Sequence, residues 1–256
     1  MKISKISVFV FITASIFGAF QAIAYAKKPY FTVVKTHRGI EKIKTKQKVV
    51  ALTFDDGPHY KYTKEILEIL RLCDIRGTFF FVGQNIESYP DMVKRAYLDG
   101  NIIANHTYSH LWLTKVSNEQ IDNELIRTNK IIHDVIGECA VLFRPPYGAY
   151  SARTAKAISD LGFVSIGWSD MTNDYDVYNT TAEKIASDII RYAHPGAIIG
   201  MHDGGGDREK TVRALPIVIN YLKAMGYEFV TIPELLNIEG YIPKKSEKNI
   251  SEKPGS

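Results

Sequence analysis

From residue 49 to residue 238 the chain alternates, seven times in succession, a short apolar run with a longer segment of helical period. A run without helical period that stops at a turn-forming cluster reads as a buried strand. The spacing predicts strands at 49–54, 78–82, 101–105, 140–143, 163–168, 196–201 and 228–231. Between and after them it predicts helices at 63–72, 90–98, 117–136, 151–161, 181–192, 211–225 and 233–238. The third helix opens on Ser117 with Gln120 three residues on, a capping-box pattern. Seven such units call for an α/β fold with a mostly parallel sheet and helices outside it. At this length the sheet closes naturally into a (β/α) barrel, with an open doubly wound sheet as the alternative.

The flanks are different in kind. Residues 1–26 have the form of an export signal: Lys2 and Lys5, an apolar stretch from Ile6 to Ala24, and Ala24-Tyr25-Ala26 before Lys27. An uncleaved membrane anchor is the alternative. Residues 27–48 are mixed and basic, a lead-in of short strands laid over one end of the domain at 49–240. The stretch 241–256 is mainly Lys, Ser, Glu, Asn, Pro and Gly and is expected to be disordered. A formal charge of +4 without a dense basic stripe excludes nucleic acid as a partner. Two cysteines, Cys73 and Cys139, read as small core residues in a chain too large to need a staple.

In a parallel sheet of either kind, chemistry gathers at the carboxyl ends of the strands. Those ends carry Asp55-Asp56, then His106 and His110, then Arg144-Pro145-Pro146-Tyr147, then Trp168-Ser169-Asp170 with Asp174 and Tyr175 behind, then His202-Asp203-Gly204. The amino ends carry nothing comparable. Asp55 and Asp56 point to opposite sides of an extended chain, and two like charges so close call for a cation or an arginine. His106 and His110 can share one face if their loop coils helically, and a carboxylate from another strand end completes three ligands with an open position. One aspartate then ligates and the other is left free. Arg144 can hold that free carboxylate ionised and aimed. The Tyr147 amide, behind two rigid prolines, can serve as an oxyanion donor, and His202 can transfer a proton.

These motifs resemble those of the carbohydrate esterase family 4 polysaccharide deacetylases, the proteins with a NodB homology domain. The resemblance is carried by Thr53-Phe54-Asp55-Asp56-Gly57-Pro58, His106-Thr107-Tyr108-Ser109-His110, Arg144-Pro145-Pro146-Tyr147-Gly148 and the region of His202. It implies a distorted barrel of seven or eight strands and a divalent metal ion, usually zinc. Asp56, His106 and His110 match the metal ligands, and Asp55 the catalytic base. Arg144 matches the partner of that base, Tyr147 the oxyanion donor, and His202 the general acid.

Three positions depart from the family pattern, one of them Tyr175, which stands where the motif usually has its tryptophan. Aligned on Trp168 and Asp174, the carboxylate that tunes the acid histidine falls on Met171, which implies a weakened acid step unless Asp170 or Asp174 replaces it. Gly200 stands where a leucine usually lines the acetyl pocket. The resemblance implies an amide hydrolase acting on N-acetylglucosamine of peptidoglycan. Chitin oligomers or acetylated xylan are alternative substrates, and a weakly active wall-binding relative is an alternative role. Export to the cell wall or medium, a polysaccharide as partner and a monomeric state complete the expectation.

Overall fold

The structure is a computed structural model and describes residues 32–36 and 39–243. The expected export segment and nearly all of the expected tail lie outside the described residues. Among the described residues ten strands share one sheet: β1 (Thr32–Thr36), β2 (Gly39–Lys44), β3 (Val49–Asp55), β4 (Thr78–Phe81), β5 (Ile102–Asn105), β6 (Leu142–Phe143), β7 (Val164–Ser165), β8 (Asp170–Met171), β9 (Ala197–His202) and β10 (Glu228–Phe229). Eight of them run in the order β1-β2-β9-β3-β4-β5-β6-β7, with β10 beside β3 and β8 beside β9. Pairing is parallel except where β2 meets β1 and β9. The sheet curls into a half-barrel, and an isolated bridge from Ile40 to Ile166 links β2 to the chain just past β7.

Among the described residues eight α-helices accompany it: α1 (Tyr62–Leu72), α2 (Gly83–Ser88), α3 (Pro90–Leu98), α4 (Asn118–Ile136), α5 (Ala152–Asp160), α6 (Ala182–Tyr192), α7 (Glu209–Ala224) and α8 (Ile232–Leu236). Ile66, Leu67 and Leu70 form the buried stripe of α1, the spacing that puts side chains on one helical face. Ser117 and Gln120 make the expected capping box on α4, and left-handed Gly137 ends that helix.

Alternation along the strands sorts the core into an outer and an inner layer. On β3, Val50, Leu52 and Phe54 face outward with Ile66, Leu70, Val218 and Ile219 of the helices. Ala51 faces the inside of the curl with Phe80, Ala104, Ile198 and the α8 residues Ile232, Leu235 and Leu236. On β9, Ile199 and Met201 belong to the outer layer and Ile198 to the inner one. The same parity carries Thr53 and Asp55 of β3, and Gly200 and His202 of β9, onto the inner face. The two strands are in register there, Asp55 opposite His202.

Three expectations about the frame need correction. The segment before residue 49 does not lie over one end: β2 is a sheet strand between β1 and β9, and Gly39, Glu41 and Ile43 are its buried positions. The start of the 241–256 stretch is paired, because Ile242 donates its amide to Cys139 and Tyr241 bridges Ala140. The cysteines are half-buried and form no disulfide.

Candidate active site

Every polar strand end named above opens into one cleft of about 470 Å³, lined by Asp55, Asp56, His106, His110, Tyr147, Trp168, Tyr175, His202 and Arg208 among others. Another hollow of about 530 Å³ lies against α5 and β7, and no carboxylate or imidazole lines it.

Asp55 ends β3 in extended form, and Asp56 turns out of the strand with φ 72°. That left-handed step carries its carboxylate toward the loop after β5. Asp56 Oδ1 lies 3.3 Å from Nε2 of His106 and 3.0 Å from Nε2 of His110. One donor atom from each residue falls within 4.8 Å of the others. Burial works against the charged form of Asp56, but the hydrogen bonds to His106 and His110 outweigh it and hold the carboxyl far below its ordinary range. Nδ1 of His106 donates to the Arg144 carbonyl at 2.7 Å, a bond that orients the ring with Nε2 toward Asp56. Two imidazoles and one carboxylate, with the cleft open on the remaining side, fit a divalent cation such as zinc.

The 106–110 loop is not helical, contrary to the expectation. Thr107 and His110 adopt φ of 67° and 57°, and these two left-handed turns bring the rings together at a centroid distance of 5.1 Å. Glu124 of α4 holds the loop in that shape. Its carboxylate accepts the amides of Tyr108 and Ser109 at 2.9 and 2.8 Å and the Ser109 hydroxyl at 2.8 Å. No local signal marks Glu124 in the sequence, because its role depends on how α4 packs.

Arg144 is fully buried. Its Nη1 donates to Asp55 Oδ1 at 2.7 Å and to the Thr53 hydroxyl at 2.8 Å, and Nη2 and Nε donate to the carbonyls of Gly167 and Ile166. The guanidinium also lies 4.1 Å from the ring centroid of Phe80. Burial pulls the Arg144 pKa down, and the Asp55 charge opposes that pull. Asp55 is therefore clamped on one oxygen by a bond typical of charge-assisted pairs.

His202 meets Asp174. Nδ1 of His202 donates to Asp174 Oδ1 at 2.8 Å, and the His202 amide donates to Oδ2 at 2.7 Å. The expected gap at Met171 is thus filled by the carboxylate just before Tyr175. A two-residue strand lies between Trp168 and the 3-10 turn Asn173–Tyr175 that carries Asp174, so counting along an extended chain does not place it. Burial lowers the His202 pKa, but Asp174 and the more distant Asp56 and Asp55 raise it further, to about 9. Arg208, almost fully buried, donates to the carbonyls of Asp174, Gly204 and Gly205 and so ties the two loops that meet at His202.

Asp203 has no role in the sequence reading although it directly follows His202. It accepts the Gly57 amide at 3.1 Å and the Thr63 hydroxyl, pinning the turn after Asp56 to β9 and α1. Burial, aided by the Asp56 and Asp55 charges, pushes its carboxyl up to about 7 against the Thr63 hydrogen bond. The space at Gly200 is taken by the indole of Trp168, whose Cβ lies 3.4 Å from where a side chain at 200 would begin.

The profile of the polysaccharide deacetylase family matches residues 42–166. A peptidoglycan-N-acetylglucosamine deacetylase of Bacillus cereus is 36% identical over 190 residues, which span 74% of this chain and 89% of that protein. The solved Bc1960 peptidoglycan N-acetylglucosamine deacetylase superimposes with a TM-score of 0.75 at 34% identity, covering 78% of this chain and 93% of that one. BA3943 of Bacillus anthracis, a CE4 family pseudoenzyme, superimposes with a TM-score of 0.71 at 28% identity, covering 77% of this chain and 68% of its own. The fold, the cleft and these likenesses agree, and the chain belongs to the carbohydrate esterase family 4 polysaccharide deacetylases.

Proposed function

We propose that the protein is a metal-dependent hydrolase that removes N-acetyl groups from a wall polysaccharide, with N-acetylglucosamine of peptidoglycan as substrate. The observation that carries the reading is the meeting of three separate devices in one cleft: the Asp56-His106-His110 triad, the Asp55–Arg144 pair and the Asp174–His202 pair. Asp56, His106 and His110 would hold the cation, zinc by preference for two imidazoles and a carboxylate. When bound, it supplies a Lewis acid that acidifies water and polarises the acetyl carbonyl.

The remaining steps belong to the chain's own side chains. Asp55, kept out of the metal triad by Arg144, takes the proton of the attacking water. The Tyr147 N–H donates to the tetrahedral oxyanion of the substrate; the local 3-10 turn spends the amides of Gly148 and Ala149 on Pro145 and Pro146, not this one. His202, protonated through Asp174, gives its Nε2 proton to the departing amine, a contribution of roughly a hundred- to ten-thousandfold. The Bacillus cereus relative acts on peptidoglycan by its name, and the positive start and apolar stretch of residues 1–26 support export to the wall, where a monomer would work.

A wall-binding protein without turnover is the second reading, favoured by likeness to the BA3943 pseudoenzyme. Acetate release from peptidoglycan, chitin oligomers and acetylxylan, measured after chelation and again after metal is restored, separates the readings. Metal-restored release from peptidoglycan that disappears in Asp55→Asn supports the hydrolase. No release from any of the three leaves the binding role.

A further inference from the structure

Tyr147 stands in a column of rings at the mouth of the cleft. Its phenol lies parallel to the Trp112 indole, with centroids 4.6 Å apart and planes 16° from each other. Its other side meets His110 edge-on at 4.6 Å. Lys115 Nζ lies over the Trp112 ring, 4.3 Å from its centroid. Trp112 is held from behind: Leu113 is fully buried, and Arg153 of α5 donates to the carbonyls of Leu113 and Thr114. Tyr147 itself has φ 60° and ψ 8°, a left-handed conformation that a bulky residue adopts only when its surroundings impose it.

We infer that Trp112 is a positioning residue that keeps Tyr147 left-handed and so aims the Tyr147 N–H at the oxyanion. The inference rests on the oxyanion role given to that amide above. With the phenol stacked on the indole and Lys115 Nζ over its ring, Trp112 acts on Tyr147 as its packing partner. Loss of the indole frees the phenol, φ relaxes toward negative values, and the N–H rotates away from the site. Trp112 is 42% exposed, so its removal leaves the core intact.

The test compares Trp112→Ala and Trp112→Phe with the parent chain, all metal-loaded. In Trp112→Ala the expected result is a kcat for acetate release lowered about tenfold, less than the hundredfold or more of losing an oxyanion donor outright. KM, metal affinity and melting temperature stay within error, and Trp112→Phe recovers most of kcat. A second readout needs no turnover. Protein labelled with 13C-carbonyl proline and 15N tyrosine reports only the two Pro-Tyr amides, at 29–30 and 146–147. The Tyr147 signal should shift or split in Trp112→Ala and return toward its place in Trp112→Phe. An unmoved Tyr147 signal overturns the inference. So does a raised KM with kcat intact, which would make the indole a sugar surface, or a fall in metal affinity, which would make it a support for His110. A parent chain that releases no acetate sinks the hydrolase reading, while the amide signal still decides the role of Trp112.

Discussion

Asp174 shows what a single carboxylate decides. Its two oxygens take the ring and the amide of His202, and Thr211 donates a further bond to Oδ2 at 3.1 Å. His202 gives up a proton only while it carries one, so the step that needs the acid should be full well below pH 9 and decline as pH rises through about 9. Asp174→Asn removes the chief raising influence and leaves burial, which lowers. The alkaline limb of kcat/KM should move down by about one unit or more. Amide hydrolysis should suffer more than hydrolysis of an acetyl ester, whose leaving group needs less protonation. A limb that stays in place would remove Asp174 from the acid step. Arg144 poses the matching question for the base. Arg144→Met strands the buried Asp55 charge, and such losses cost about 3–5 kcal/mol, readable as a lowered urea midpoint. The chemistry of Asp55, Asp56, His106, Arg144 and His202 was legible in the sequence because each closes a strand or directly follows one, and His110 was legible from its spacing to His106. Asp174 was legible only as one of two alternatives, and Glu124 and Arg208 were not, because their partners are set by irregular loops and by packing.

At the scale of the element, the turn after β3 is fitted against the turn after β9 with no room to spare. A Cβ at Gly204 would lie 2.1 Å from the Asp56 carbonyl oxygen and 2.7 Å from the Gly57 amide nitrogen. Gly204→Ala should therefore displace Asp56 and weaken zinc or cobalt binding by roughly 10–100-fold, the scale seen when a ligand loses its support. Direct metal titration checks it, and unchanged affinity would show that the turn gives way elsewhere. Most strands and helices could be read from periodicity, since their buried faces repeat every second residue or every third and fourth. Those that escaped are short or disguised. The two-residue β8 and the six-residue α2 hold too few turns for a period, and β2, expected as a short lead-in strand, was not read as part of the main sheet because Glu41 puts a charge at one of its buried positions.

For the molecule as a whole, the metal triad joins the loops after β3 and β5, so cation binding should also be felt as global stability. At a free metal concentration a hundred times Kd the gain is about 2.7 kcal/mol. Chelation should lower the melting temperature of the parent chain and have little effect on Asp56→Asn. Equal melting with and without metal would mean that the triad does not take the ion. A mostly parallel sheet flanked by helices was legible because alternating strands and helices leave few ways to cover both faces of such a sheet. How far the sheet closes was not, since the Ile40–Ile166 bridge depends on where the lead-in strand β2 joins the sheet.

Four residues of the cleft and its loops, Asp56, Thr107, His110 and Tyr147, have positive φ without being glycine. Thr107 is the most costly of them: it is β-branched, buried, and its hydroxyl has no hydrogen-bond partner among the described residues. Selection for heat resistance alone should therefore recruit glycine and asparagine into these four places. It would collect sturdier proteins that have forgotten their trade, and only a screen that also demands turnover would keep the original residues.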